Sequence, residues 1–405
     1  ALGLPALPPP APAPAPAPAA AAAAPRQAAL PGGAVWGKAA AVAKAEGILA
    51  EVEPLCLLGR GAFGKVMLAR GVVDGAAYAL KVMRVDAVAK QKMAHEVQTE
   101  RDVMASFARA PHPFVVPLLR AYRSASHYHL VMPFLAGGTL LAHIKTRGSG
   151  GGGGGDEGPL LPEASARFYS AQIAVALGEL HARGVLYLDL KLENVMLTRT
   201  GNAVLVDFGL AQQGVDVAAG GTAKRLGGTK AYLSPEAISG TQVGAAADWW
   251  AYGVVLFEML TGGAPFAGAD KKALQTAICN CRMRFPPEST VSGDARALVR
   301  RLLSKQPELR LGVAGGAAEV QAHPFFRGID WEKLLDCQVA PPYVPPLGDD
   351  ADARYFDAKY TAQPARLSVV EPNGRSGAAA EQTLHSSSFD WVASSWHQGH
   401  GVGAP

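Results

Sequence analysis

Cysteine is scarce: the 405 residues hold four, Cys56, Cys279, Cys281 and Cys337. They have neither the paired spacing of a zinc site nor the density of a disulfide-stapled secreted domain, so free thiols in a reducing compartment are expected. Long uninterrupted apolar runs are missing too, and no stretch reads as a membrane span. No long basic block accompanies the net charge of +4, which is small for this length and removes nucleic acid as an implied partner. An initial methionine is also lacking; the chain begins at Ala1, and an N-terminal part is expected to be missing. What is abundant is apolar side chain, 49% of the residues, enough for two lobes with a sizeable core.

Low-complexity segments frame the readable part. Residues 1–34 are nearly all Ala and Pro and are expected to be a disordered or polyproline-like leader, because alternating Pro prevents helix and small side chains build no core. Residues 35–51 read as a linker or short helix, 148–158 as a flexible glycine-rich surface loop carrying Asp156 and Glu157, and 397–405 as a disordered end.

The most informative stretch is Tyr187-Leu188-Asp189-Leu190-Lys191-Leu192-Glu193-Asn194, followed by Asp207-Phe208-Gly209. Asp189, Lys191 and Asn194 are too close and too irregularly spaced for one amphipathic face, so a loop must turn them towards a common point. A carboxylate to accept a hydroxyl proton, an ammonium to steady a phosphoryl oxygen and an amide oxygen to bind Mg²⁺ suit phosphoryl transfer. Short apolar runs on either side of Gly201-Asn202 predict a β-hairpin that presents Asp207 opposite Asn194, giving two metal contacts, Asn194 and Asp207.

Upstream, Leu58-Gly59-Arg60-Gly61-Ala62-Phe63-Gly64-Lys65-Val66 is a glycine-rich turn between strands. Its backbone N–H groups can approach phosphates, with Phe63 at the tip and Val66 over a base. Alone it is equally a hairpin without a ligand. Lys81 ends the apolar strand Tyr78-Ala79-Leu80-Lys81 and needs an anion: a nucleotide's phosphates, or an acid on the predicted helix 94–107. Glu96 and Glu100 lie four apart on one face of that helix, and helical spacing does not separate them. Residues 163–183 predict a long helix burying Phe168, Ile173, Leu177 and Leu180. Asp248, in Asp248-Trp249-Trp250, reads both as a helix N-cap and as an acceptor steadying the loop before Asp189.

Together the two loops resemble the catalytic and metal loops of protein kinases. His323-Pro324-Phe325-Phe326, Pro341-Pro342-Tyr343-Val344-Pro345, Arg354-Tyr355-Phe356-Asp357 and Tyr360-Thr361-Ala362-Gln363 are similar to the C-terminal extension of AGC kinases, closest to the protein kinase B (Akt) branch. The resemblance implies an α+β, bilobal kinase fold: a kinase domain over 52–326 and an AGC tail over 327–396. It pairs Lys81 with Glu100. It makes Asp189 the base, with Lys191, Asn194 and Asp207 beside it. ATP and Mg²⁺ are the implied cofactors, the nucleotide meeting Leu58, Gly59, Gly61, Phe63, Gly64, Val66, Ala79, Lys81, Met132, Pro133, Leu135 and Met196. Adenine would use the carbonyl of Pro133 and the N–H of Leu135. Protein substrates are implied, bound through Thr229, Glu193 and Glu258. Thr229 would bond Asp189 and Lys191, as in serine/threonine kinases; Glu236 would pair with Arg310; Phe356 would lie near the nucleotide. A monomer in the cytoplasm, with the nucleus as a further location, is expected.

The chain departs from the family pattern at several points. Leu188 replaces the Arg before the catalytic Asp, and Arg225 occupies the place of the activation-loop phosphothreonine. An Arg225–Glu96 ion pair linking helix and loop without phosphate is the expectation. Thr222 and Ser368 are candidate sites for an upstream kinase. Asp390, in Ser386-Ser387-Ser388-Phe389-Asp390-Trp391, stands where a phosphorylated residue is usual, and Ser386 replaces an aromatic. Thr139 replaces a substrate-reading Glu, so the preference for Arg-containing substrates is expected to be weaker or shifted. The alternative function is an ATP-binding pseudokinase scaffold; a small-molecule phosphotransferase lacks support beside the substrate segment and tail.

Overall fold

The computed structural model describes residues 51–61, 64–148, 161–223, 227–287, 290–365 and 389–393. The expectations for residues 1–50, Phe63, the glycine tract, Arg225, Ser368 and Ser386 lie outside the described residues.

The small lobe is built from β1 (Val52–Arg60), β2 (Gly64–Gly71), β3 (Ala77–Arg84), α1 (Val85–Lys90), α2 (Ala94–Arg109), β4 (Arg120–Arg123) and β5 (His127–Pro133). The antiparallel sheet runs β1-β2-β3-β5-β4. Strand alternation divides β3 between two faces. Leu80 and Val82 join Leu57, Met67 and Val131 in one apolar cluster, whereas Ala79 and Met83 join the larger core that includes Val97, Met104 and Phe107 of α2. Lys81, between Ala79 and Met83 in the alternation, therefore points to the α2 side. Glu100, 3% exposed, occupies the same stripe of α2 as Val97, Val103 and Phe107.

The larger lobe follows: α3 (Leu140–Gly148), α4 (Glu163–Ala182), the hairpin β6 (Val195–Leu197) and β7 (Ala203–Leu205), then α5 (Pro235–Ser239), α6 (Ala245–Thr261), α7 (Lys271–Asn280), α8 (Gly293–Leu302), α9 (Gly316–Gln321) and α10 (Trp331–Leu335). The expected stripe of α4 is buried, but so are Ala171, Gln172, Ala174 and Ala176, which makes α4 a core helix covered almost all round. Its neighbour α6 is similar: Trp249, Trp250, Tyr252 and Leu256 are fully buried, and the Tyr252 hydroxyl donates to Ser170 O at 3.0 Å. Asp248 is not the N-cap of α6. Gly244 holds that position, and Asp248 lies fully buried in the first turn. The β6–β7 hairpin forms where Gly201-Asn202 predicted a turn, with Gly201 at φ 89°; a Cβ there would come within 2.1 Å of Tyr343 O.

The tail returns to the small lobe. Phe356 stacks on Phe134, centroids 5.4 Å apart, and after α11 (Ala358–Thr361) Gln363 O accepts the Leu57 amide of β1 at 3.3 Å. A two-residue strand, β8 (Trp391–Val392), extends the sheet beyond β4. Phe389 is fully buried, its ring 4.9 Å from that of Tyr128, and Asp390 Oδ1 accepts the Arg123 amide at 2.9 Å. No described helix is long and apolar enough to cross a membrane.

Candidate active site

The loop between α4 and β6 is shaped by one buried carboxylate. Asp248 accepts the amides of Tyr187 at 2.9 Å and Leu188 at 2.7 Å, and His181 Nε2 lies 2.8 Å from it. Tyr187 is fully buried, so the chain is anchored immediately before Leu188, whose backbone takes a left-handed φ of 62°. Beyond this bend Asp189 Oδ2 accepts from Lys191 Nζ at 2.6 Å and from Asn194 Nδ2 at 3.0 Å. Lys191 also donates to Thr229 Oγ1 at 3.1 Å, and the Thr229 hydroxyl lies 3.5 Å from Asp189 Oδ1. Burial pushes the Asp189 carboxyl up and the Lys191 ammonium pulls it back, leaving it above the usual carboxylate range. Four of the expected residues, from two separate segments, thus share one hydrogen-bonded cluster.

The hairpin brings Asp207 alongside: Val206 N donates to Asn194 O at 3.0 Å. Lys81 connects this region to the small lobe, with Nζ 2.6 Å from Glu100 Oε1 and 3.0 Å from Asp207 Oδ1. Burial alone would pull the Lys81 ammonium down, but the Asp207 and Glu100 carboxylates outweigh it and hold its pKa above the usual lysine range. The charge of Lys81 in turn lowers that of Asp207. Between Glu96 and Glu100, which spacing left open, the structure pairs Lys81 with Glu100.

The donor atoms fit a hard divalent cation. The side-chain nitrogen of Asn194 is committed to Asp189, by bonds to its carbonyl at 2.9 Å and its carboxylate, which orients the amide. The amide oxygen of Asn194 and the carboxylate of Asp207 are oxygen ligands of the kind Mg²⁺ prefers. Asn194 and Asp207 are the residues that would hold such an ion.

Residues expected around a nucleotide line the sheet and the linker. Val66 pairs with Gly59 and with Lys81, Ala79 with Met132, and Tyr78 with Pro133. Leu58 and Ala79 are largely buried. Gly61 N donates to Gly64 O at 2.9 Å in the turn, and a Cβ on Gly64 would collide with Val82 O at 2.2 Å. Leu135 lies in the linker that follows β5. Met196 lies on the hairpin strapped to that linker by Gly137 N to Leu197 O at 3.1 Å and Leu197 N to Gly138 O at 2.9 Å. Phe356, on Phe134, borders the same linker.

Of the residues expected to bind substrate, Glu258 has its Oε2 accepting the Tyr232 hydroxyl at 2.8 Å. Burial pushes its carboxyl up to about 7; the Tyr232 hydrogen bond opposes this and the nearby Glu193 adds to it. Thr139 serves the backbone, its hydroxyl accepting the Ala142 amide at 3.2 Å. Glu236 and Arg310 form a buried fork at 2.6 and 3.0 Å. Two contacts had no local sequence signal: His181 on Asp248, and Arg183, described below.

A protein kinase domain model matches residues 52–326. The chain is 36% identical over 357 residues to the RAC-beta serine/threonine-protein kinase of Homo sapiens, covering 87% of this chain and 70% of that protein. It is 37% identical over 345 residues to RAC-beta serine/threonine-protein kinase B of Xenopus laevis, covering 84% and 67%. Against the Drosophila melanogaster RAC serine/threonine-protein kinase, 36% identical, it covers 83% of its own length but only about half, 52%, of the relative. A domain of this kind implies ATP and, typically, Mg²⁺. With its sheet lobe, helical lobe and returning tail, the chain belongs to the protein kinase family, as an AGC-type, RAC (Akt)-like serine/threonine kinase.

Proposed function

We propose that the chain transfers the γ-phosphoryl group of ATP to a Ser or Thr hydroxyl of a protein substrate. The observation that carries this is the convergence of Asp189, Lys191, Asn194 and Thr229 beside the Lys81–Glu100–Asp207 chain of charges. Asp189 accepts the hydroxyl proton; its raised pKa brings it closer to the proton it must take. Lys191, already on Asp189 and Thr229, steadies the transferring group, and Lys81, fixed by Glu100, orients the phosphates. Mg²⁺ held by Asn194 and Asp207 neutralises charge on the phosphates when bound. Retention of all these groups counts against a scaffold without catalysis.

Two finer features belong to this reading. Glu193 and Glu258 favour substrates with Arg before the target residue, while Thr139 offers no carboxylate and weakens selection at the more distal Arg. Leu188 places an apolar side chain, beside Leu233, Val243 and Ala247, where the family carries a phosphate-binding Arg, and no described residue lining this cavity is a Lys or Arg, which supports activity without phosphorylation at the usual place. Transfer from ATP·Mg²⁺ to an Arg-containing serine peptide by unphosphorylated protein, and none by Asp189→Asn, is the expected result. Binding of ATP without transfer by the unmodified protein, persisting after treatment with an upstream kinase, would overturn the reading.

A further inference from the structure

Whether Glu100 reaches Lys81 depends on how α2 is held, and its C-terminal end is held from the other lobe. Arg183, the first residue after α4, donates from Nη1 to Ser106 O at 3.1 Å and from Nη2 to Ala110 O at 2.8 Å. Ser106 lies in the last turn of α2 and Ala110 is its C-cap. Carbonyls at a helix end lack intrahelical donors, and the end carries partial negative charge, so a guanidinium there satisfies both needs. The same group lies over Phe107, its central carbon 3.9 Å from the ring centroid. Glu179, one turn back on α4, accepts from Arg183 Nε at 2.8 Å and fixes the fork. Three contacts in three directions are thus made by one planar side chain, a geometry that Lys does not reproduce.

The contact bears on Glu100 through helix geometry. Phe107 is fully buried, two turns beyond Glu100 on the same face of α2. A turn of the helix about its axis, or a swing of its free end, moves Glu100 away from Lys81, and Arg183 resists both at the fixed end. His112 fills the corner, its ring edge-on to Phe107 at 6.5 Å and to Phe114 at 5.7 Å, and burial lowers its pKa to about 4, so it is neutral beside Arg183 at physiological pH.

We infer that Arg183 is a positioning residue for phosphoryl transfer: from the end of α4 it clamps the C-terminus of α2 to the larger lobe and sets the pivot on which Glu100 meets Lys81. The inference rests on the reading of Lys81 and Glu100 as the phosphate-orienting pair. The test uses the full chain and compares Arg183→Met, which keeps much of the apolar stem, with the unmodified protein and with both in a Glu100→Gln background. The Met variant is expected to lose roughly tenfold in kcat, with the peptide KM unchanged and faster hydrogen exchange along α2. In the Glu100→Gln background the same change is expected to cost less than about twofold, because both act through one pair. An unchanged kcat, or an equal loss in both backgrounds, overturns the inference. If the Met variant melts below the assay temperature, Arg183→Lys carries the same comparison, and unmodified kcat in that variant likewise overturns it. Lys81→Met separates the two levels: transfer surviving in it sinks the reading of the pair, whereas transfer lost there but intact in Arg183→Met sinks the clamp alone.

Discussion

Asp248 accepts the amide of Leu188 at 2.7 Å, and Leu188 has a left-handed backbone, φ 62°, that a β-carbon makes unfavourable. The bend that turns Asp189 towards Thr229 is therefore held by a carboxylate sixty residues away in sequence. Asp248→Asn keeps one acceptor oxygen but sets an NH₂ group against the Tyr187 or Leu188 amide. The expected outcome is a kcat lower by roughly a hundredfold and a loss of about 1 to 3 kcal/mol in stability. Steady-state kinetics and urea melts check both, and a variant with unmodified kcat would show that the bend holds itself.

Substrate binding is expected to depend on pH through Glu258. Its carboxyl is raised to about 7, mainly by burial, so in the free protein it carries a proton at lower pH and loses it as pH rises through neutrality. An Arg side chain of a substrate favours the carboxylate. The Kd of an Arg-containing peptide should fall by up to about tenfold between pH ~6 and pH ~8. In Glu258→Gln the Kd should be weak and flat over that range. A slope retained in the Gln variant would place the titrating group elsewhere, and fluorescence anisotropy with a labelled peptide reads it directly.

How far the site was legible in the sequence follows the range of each signal. Local signals were reliable: Gly201-Asn202 marked a hairpin, and the spacing of Asp189, Lys191 and Asn194 required a loop that gathers them. Spacing on α2 was silent between Glu96 and Glu100, because both lie near one face; the depth of each turn beneath the sheet makes the choice, and that is a tertiary quantity. Of the two readings of Asp248, the acceptor that steadies the loop holds and the N-cap does not. An Asp ahead of an apolar run is a good N-cap in isolation, but Gly244 begins the helix and the carboxylate serves a distant loop. Arg183 meets carbonyls 73 and 77 residues away in sequence, and no local pattern announces a side chain that caps another lobe's helix.

The Glu236–Arg310 fork is expected to be structural in a way that single and double substitutions distinguish. Arg310 is 2% exposed and also donates to Ala246 O at 2.6 Å and to Ser304 O at 3.0 Å, so removing it leaves a carboxylate and two carbonyls without this donor. Arg310→Met should cost about 3 to 5 kcal/mol in chemical denaturation. Adding Glu236→Gln should recover part of that loss, because the uncompensated charge goes with it. Equal costs for the single and double variants would mean that packing against Trp250, whose ring centroid is 5.1 Å from the guanidinium, outweighs the charge.

Acid should weaken the fold below pH ~6.5 in part because His112, half-buried, and His129, buried, are held neutral. Burial lowers both His112 and His129 to about 4; Arg183 depresses the first further against the pull of Glu179, and His127 depresses the second. A folded-state pKa below the unfolded one means that the unfolded chain binds more protons between the two values, so stability falls as pH falls from about 6.5 towards 4. Each histidine should cost about 1.4 kcal/mol by pH ~5.5. Glu258 acts in the opposite sense over part of this window, since its raised pKa lets the folded protein take up a proton first. The comparison is therefore made within variants: His112→Asn with His129→Leu should flatten the curve of unfolding free energy between pH ~7.5 and ~5.5 by roughly 3 kcal/mol, whatever its absolute level. His129 has a tilted ring contact with Tyr122 at 5.9 Å and a weak 3.4 Å contact to Ser124, so the Leu variant keeps most of the packing while removing the titration. An unchanged slope in the double variant would assign the acid sensitivity to other groups and show that these rings find water or a partner when protonated.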